Sequence, residues 1–305
     1  MLENTLLLQR FVSVVENGTL RRAADTLNVT QPALTRSLKL LEEAVGGALF
    51  ERRGRGLSLT PLGDQLLSQA RHLLREHQLA EAELAALREG ERGQIRIGAA
   101  SVWMTKLLPP SIAQMHETYP LFSISLQSMN YPEAVEALQS GQLDAFFGGF
   151  QHVEPLPSYL IRTPLFKARL KVVARKDHPI LQQSPVRAED LSRYHWVSFQ
   201  SELAYLSTIG EAIRAATGSR PYASINCDSM MTALDLLRHG DYLALLPSSF
   251  LKSDGRGDLG IIETDLDEIA FDSGPIYRRS LQQNKAFGTL LDKAMQQVDA
   301  LKMER

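Results

Sequence analysis

The chain has 305 residues, 44% of them hydrophobic and 22% charged, with a formal net charge of -2. That length suggests two or three domains, no apolar run is long enough to span a bilayer, and the N-terminus carries an early acid and no small-residue cleavage site, so no signal peptide is read. The single cysteine, Cys227, excludes an internal disulfide and a cysteine metal cluster, and a reducing cytoplasm fits that usage.

Leu7, Leu8, Phe11, Val12 and Val15 recur at helical spacing, and Gly18 supplies a stop. Thr19 can cap a second helix, LRRAADTLN, whose Ala23, Ala24 and Leu27 form a narrow apolar face. After the short turn NVT, Thr30 can cap a third helix, with Pro32 in its first turn where the missing N–H costs nothing. There Leu34, Leu38, Leu41 and Val45 share one face, which leaves Thr30, Gln31, Pro32, Ala33, Thr35, Arg36 and Lys39 outside. Two short helices with a tight turn, the second presenting polar and basic residues, describe a helix-turn-helix. Small residues admit the helix to base edges, Gln, Thr and Arg can hydrogen-bond bases, and Arg or Lys can hold phosphates. A solvated face is the plainer reading of a bare amphipathic helix, but the tight turn, the Ala pair and local charge reverse that preference. Between Arg21 and Thr60 seven basic residues (Arg21, Arg22, Arg36, Lys39, Arg52, Arg53, Arg55) stand against four acids, a local excess that the whole-chain charge conceals. The stretch LFERRGRGLSLT, with two Gly around an Arg-rich tip and alternating Leu57 and Leu59, reads as a β-hairpin wing. Arg52, Arg53 and Arg55 would lie against phosphates or a minor groove, unless they are ordinary loop charges.

The stretch from Phe11 to Gly63 resembles the winged helix-turn-helix of the LysR-type transcriptional regulators. The matching marks are Ala23-Ala24, Leu27, Gln31-Pro32-Ala33, Arg36, Leu41-Glu42, Gly46, Leu49-Phe50, Arg52, Leu59-Thr60 and Gly63. Thr19 and Leu20 stand where that family usually has Ser and Phe, Thr30 and Thr35 replace common serines, and Val45 replaces a common Leu.

From Thr60 to Gly90 the chain is rich in Leu, Ala, Glu and Arg, and Leu66, Ala70, Leu73, His77, Ala80, Leu84 and Leu87 alternate steps of four and three. That is a heptad seam on a helix of about 45 Å, read as a dimer device that holds two DNA-binding heads apart. Packing of the helix against the protein's own body is the alternative. His77 reads as a tolerated polar seam position, not a metal ligand.

Beyond REGERG the pattern alternates between strands and helices, which implies a parallel sheet. A first series runs QIRIGAA, FSISLQS, DAFFGGF. A second includes RLKVVARKDHP, HWVSFQ, YASINCD and YLALLP, and the end returns with GPIYRR and a helix in which Phe287, Leu290, Leu291, Ala294, Val298 and Leu301 face inward. Two such units are similar to the effector domain of the same family, itself similar to periplasmic binding proteins. The resemblance implies an α/β fold with a winged helix-turn-helix head at residues 1–60, a linker helix at 61–92, and an effector-binding domain at 93–305. Its first subdomain would be 94–163 with 266–305, and its second 164–265. It further implies double-stranded promoter DNA, a small-molecule effector such as a carboxylate or aromatic, a homodimer or homotetramer, and RNA polymerase as a further partner, with no membrane association, cofactor or metal.

In open α/β sheets, ligands lie beyond the carboxyl ends of strands, where helix N-termini offer N–H groups. Those ends are Ser101-Val102-Trp103, Ser128-Met129-Asn130, Phe147-Gly148, Phe199-Gln200-Ser201, Asp228-Ser229 and Pro247-Ser248. Ser101 is the strongest single candidate, because a hydroxyl opening a helix suits a carboxylate. Taken singly, each Ser is more often just a cap, and Trp103, Phe147 and Phe199 are as fit for a core as for a ligand wall. An enzyme would need a constellation, and the sequence has no phosphate-binding Gly-rich loop, nucleophile elbow or His pair at metal spacing. The acidic run Glu263 to Glu268 lacks the Gly and spacing of a calcium loop, and Cys227 reads as a structural thiol. A solute-binding protein would explain the C-terminal half but not the head, and a ligand-independent DNA-binding regulator is the other alternative.

Overall fold

The computed structural model describes residues 5–53, 56–89, 93–100, 102–150, 155–183, 185–199, 203–218, 223–248, 257–266, 269–301 and 303. The chain forms two compact units. One comprises residues 1–96 with 121–125 and 135–144; the other comprises 97–120, 126–134 and 145–305.

The head opens with α1 (Thr5–Asn17) and α2 (Leu20–Thr26), followed by α3 (Gln31–Val45). Caps set the boundaries: the Thr19 hydroxyl accepts the Arg22 N–H and the Thr30 hydroxyl accepts the Ala33 N–H. Leu8, Phe11, Ala23, Leu34, Leu41 and Leu49 bury their side chains completely, so the spacings read from sequence do form one core. The hairpin β1 (Phe50–Arg53) and β2 (Gly56–Leu59) pairs Phe50 with Leu59 and Arg52 with Leu57.

The long helix α4 (Pro61–Glu89) follows. Thr60 starts it, its hydroxyl donating to Ala48 O at 2.7 Å and accepting the Gly63 N–H at 3.0 Å. Gly63 is required by close approach, since a Cβ there would stand 2.2 Å from the Leu49 carbonyl oxygen. Leu66 and Ala70 are buried in the head's core, and Leu67, Leu73 and Leu74 pack against it. The first positions of the expected seam therefore pack on the chain's own head, because a heptad stripe only demands an apolar partner and the head supplies one. His77 and Ala80 are exposed, while Leu84 and Leu87 lie on the helix with side chains outside the described residues.

The remaining strands are β3 (Gly93–Ala99), β4 (Phe122–Ser128), β5 (Ala145–Gly149), β6 (Leu160–Arg162), β7 (Phe166–Arg175), β8 (His195–Phe199), β9 (Ala223–Cys227), β10 (Tyr242–Pro247), β11 (Leu259–Ile262) and β12 (Ile269–Arg278). The helices are α5 (Leu108–Thr118), α6 (Tyr131–Gln139), α7 (Ala188–Leu191), α8 (Leu203–Thr217), α9 (Met230–His239) and α10 (Lys285–Ala300). The sheet order is β4-β3-β5-β12-β7-β10-β8-β9, with β6 on β12 and β11 on β7. The expectation of a parallel sheet holds within each series, where β3 pairs with β5 and β8 with β9 and β10 in parallel. It fails at β7, the first strand of the second series, and at β12, which pair antiparallel with each other and with β10 and β5. A π-helical turn at Trp103–Leu107 precedes α5, whose first turn contains Pro109 and Pro110; the Leu108 N–H reaches back to Trp103 O.

Buried side chains on both halves of the strand order support this sheet. Near β5 and β12, Trp103, Phe146, Phe147, Ile276, Phe287 and Leu290 are buried, the last two from α10, whose cap is the Asn284 side chain accepting the Phe287 N–H at 2.9 Å. Around β7 and β10 lie Leu170, Val172, Ile180, Trp196, Ile213 and Leu245. His178 sits beside the second group, 1% exposed, with its ring edge-on to Tyr194. Its Nδ1 accepts the Ile180 N–H at 3.1 Å, so the proton of the neutral ring is on the buried Nε2. Burial lowers its pKa, Arg175 adds to the lowering, and the carboxylates of Asp241 and Asp177 oppose it. A lowered folded pKa means the unfolded chain takes the proton first, so stability should fall as pH drops below about 6.5. His178→Asn keeps an acceptor for the Ile180 N–H and cannot titrate. We expect its melting temperature to fall less than wild type between pH 7.5 and 5.5; parallel losses would remove His178 from the acid response.

Candidate nucleic-acid interface and effector cleft

The predicted DNA-facing residues of α2 and α3 are mostly exposed. Arg21 and Arg22 on α2, and Thr30, Gln31, Pro32, Ala33, Arg36 and Lys39 on α3, are exposed, and Thr35 is half-buried. The opposite face of α3 holds Leu34, Leu38 and Leu41 in the core, so the helix cannot rotate without exposing them. Two of the hydroxyls have local work. Thr30 caps the helix, and Thr35 donates to Gln31 O at 2.9 Å, which leaves its lone pairs and methyl group for a ligand. Arg52 and Arg53 lie on β1 with side chains outside the described residues, and Arg55 lies outside them altogether.

Sequence reasoning missed the braces behind this face. The Arg10 guanidinium on α1 donates to the Ser37 hydroxyl, which donates to Ala33 O at 3.0 Å, so α1 grips α3 from behind its exposed face. The Glu42 carboxylate accepts the Leu49 N–H at 2.9 Å and ties the end of α3 to the start of the wing. The signal for Glu42 was its place in the family motif; Arg10 had none, because α1 and α3 meet only in the fold.

The expected effector positions gather as two groups of strand ends. Ala100 N–H donates to Phe147 O at 2.8 Å and Met129 N–H to Ala99 O at 3.1 Å, which sets the ends of β3, β4 and β5 side by side. Phe199 pairs with Cys227, which sets the ends of β8 and β9 side by side. Ser101, Gln200 and Ser201 lie outside the described residues, as does the Phe199 side chain. Ser128 is exposed and Asn130 half-buried, its side chain accepting the Glu133 N–H at 2.9 Å as the cap of α6. Asp228 and Ser229 are exposed; Ser229 caps α9 by accepting the Thr232 N–H at 3.3 Å. Pro247 is buried and Ser248 half-buried.

Of the aromatics weighed between core and ligand wall, Trp103 and Phe147 are core residues, fully buried with ring centroids 5.1 Å apart, and the strand-end position Val102 is buried beside them in sequence. The Trp103 indole N–H donates to Ser273 Oγ at 2.9 Å, and Ser273 donates to Gly148 O at 3.0 Å. The cause is the π-helical turn, which winds Trp103 inward to a partner on β12. Gly148 is also buried, and a Cβ there would stand 2.2 Å from the Phe146 ring. Sequence reasoning missed Arg162 on the three-residue β6. Its Nη2 donates to Tyr131 Oη at 3.2 Å and its guanidinium lies 5.4 Å from the Phe150 ring centroid, placing a cation between the end of β5 and the start of α6.

Cys227 is half-buried, with its Sγ 3.7 Å from Ser229 O; burial and then the Asp228 charge push its thiol up, away from the thiolate that would react. Among the described residues there is no group of three or more His, Cys, Asp or Glu side chains placed to hold a metal ion, and no helix long and apolar enough to cross a membrane.

This architecture has relatives. The model of the lysR family of bacterial regulatory helix-turn-helix proteins matches residues 6–64, and the LysR substrate binding domain model matches residues 88–299. The HTH-type transcriptional regulator YdcI of Escherichia coli (strain K12) is 32% identical over 251 residues, covering 82% of this chain and 80% of that protein. The full-length regulator LysG of Corynebacterium glutamicum, solved with bound effector Arg, has a TM-score of 0.70 at 17% identity, covering 99% of each chain. Full-length CbnR, solved with its target DNA, has a TM-score of 0.59 at 20% identity, covering 96% of this chain and 99% of that one. With both halves matched by the family's models and a relative at 32% identity over most of its length, the chain belongs to the LysR-type transcriptional regulators, which join a DNA-binding helix-turn-helix to an effector-binding domain.

Proposed function

We propose that this regulator reads double-stranded promoter DNA with the exposed face of α3, sets its wing arginines on flanking phosphates, and binds a small carboxylate or aromatic effector across the strand ends of residues 93–305. The observation that carries the reading is the sidedness of α3. Gln31, Ala33, Arg36 and Lys39 stand free of the core, while Leu34, Leu38 and Leu41 fix the helix from behind. Gln and Arg are bidentate readers of adenine and guanine edges, and Ala allows the close approach they need. CbnR, solved on its target DNA, supports this use of the head, and LysG, solved with arginine, supports a small charged effector.

The proposed working form is a cytoplasmic homodimer or homotetramer, with RNA polymerase as its neighbour at the promoter. The head is 1–60, the linker helix 61–92 and the effector domain 93–305. Because Leu66 and Ala70 serve the head, a seam with a second copy would use the later positions of α4, His77, Ala80, Leu84 and Leu87. The site offers hydroxyls, caps and one guanidinium, the equipment of binding, and no catalytic step is assigned to it.

The effector half of the proposal is tested by thermal-shift screening of small carboxylates and aromatics against the full chain. A ligand at one hundred times its Kd should add about 2.7 kcal/mol of stability, a readily visible shift. It should also change affinity for a bound promoter duplex. A ligand that stabilises the chain yet leaves DNA affinity untouched would point to binding without control.

A further inference from the structure

Asp144 is fully buried in the turn that leads from α6 into β5, and five donor contacts converge on its carboxylate. Arg96, on β3, donates its backbone N–H at 2.8 Å and its guanidinium at 3.1 and 3.3 Å, and the Asp144 N–H returns to Arg96 O at 2.9 Å. Those contacts alone would satisfy a buried carboxylate. A second guanidinium nevertheless arrives from α4: Arg75 Nε donates to Oδ1 at 2.7 Å and Nη2 to Oδ2, a bidentate pair across 69 residues of sequence. Arg75 also reaches Gln94 O at 3.4 Å.

The surroundings are built for that arrival. Gly141, with φ +72°, lies so close to α4 that a Cβ would stand 2.7 Å from Arg71 O. Four residues before Arg75, on the same side of α4, Arg71 pairs with Glu16 of α1 at 3.4 Å. One turn of α4 therefore holds the head with Arg71 and the roots of β3 and β5 with Arg75. Those two strands run from Arg96 and Asp144 to Ala99 and Phe147-Gly148, about 10–13 Å on, where the proposed effector positions lie.

We propose that Asp144 is the joint between effector domain and linker helix, and that Arg75 is the positioning residue which makes α4 follow the roots of β3 and β5. The inference rests on the reading that these strand ends receive the effector. A change of strand position on effector binding would then be felt by α4 as a change at a fixed bidentate pair, and by α1 through Arg71. Reciprocity requires the reverse as well: DNA on the head must alter the strands.

That reverse direction is measurable with DNA as the probe, using a duplex selected by the full-length chain from a randomised library. Hydrogen exchange is followed at residues 94–100 and 144–149 with and without the duplex. In wild type, DNA should change exchange rates there on the order of fivefold or more. Arg75→Gln should bind the same duplex within about threefold of wild type yet lose that change, and Arg75→Lys, which keeps the charge but not the bidentate fork, should retain only part of it. If Arg75→Gln does not fold, the same comparison is made with Arg75→Lys. Transmission in the variant equal to wild type, or a wild type that binds the duplex with no change in the strands, overturns the proposal. A chain that selects no DNA overturns the DNA-binding reading itself, a different outcome.

Discussion

Asp144→Ala is expected to destabilise the protein by about 3–5 kcal/mol, because removing one partner of a buried ion cluster leaves the other charges uncompensated. The lower end is the better expectation, since Arg96 keeps 29% of its side chain in water, against 11% for Arg75. Burial by itself would raise the pKa of this carboxyl, but hydrogen bonds and charge from Arg75 and Arg96 outweigh it and hold Asp144 below the ordinary carboxylate range. A lowered folded pKa means the ionised form stabilises the fold at all pH values above about 3.8, and that contribution is lost as pH falls through the folded value. Denaturant unfolding of wild type and Asp144→Ala at neutral pH measures the difference. A loss under about 1 kcal/mol would mean that water replaces the carboxylate and that the cluster is peripheral.

Arg36→Ala should weaken binding to a selected DNA site by roughly ten- to a hundredfold, since a good base contact is worth about 1–3 kcal/mol of discrimination. Arg36 is exposed and Leu34 and Leu38 beside it are buried, so the substitution removes a reading group and leaves the core alone. Affinity for unrelated duplex should fall far less, because that binding comes from the summed phosphate contacts of the whole basic surface. A titration of both duplexes with both proteins separates the cases. An equal loss on the two would make Arg36 a phosphate contact, and no loss on either would move the reading surface elsewhere.

The head was legible in the sequence because its elements are short and locally determined. Thr19 and Thr30 cap where a Thr before a helix should, and Leu34, Leu38 and Leu41 mark a single stripe that can bury only one way. The α4 stripe was equally visible but not its partner: a period near 3.5 reports that Leu66 and Ala70 need an apolar neighbour, not whether it is α1 or a second copy. The strand ends were placed correctly in chain order, yet Trp103 and Phe147 proved to be core. Whether a side chain at a strand end faces a cleft depends on the turn that follows, and here the turn is π-helical and its anchor, Ser273, is 170 residues away. Arg75 and Arg162 carry no local pattern at all; each is defined by a partner that only the fold brings near. The antiparallel course of β7 and β12 was hidden for the same reason, since strand direction within a sheet is settled by long-range pairing.

The central claim, that α3 reads a specific DNA sequence, is tested most directly by selecting duplexes from a randomised library with the full-length protein and titrating the winner against scrambled DNA at about 150 mM salt. The structure leads us to expect an enriched site bound roughly a thousandfold or more tightly than the scrambled duplex, with the preference carried by the positions that Arg36→Ala relaxes. Failure to enrich any sequence, with equal affinity for winner and scramble, would contradict it.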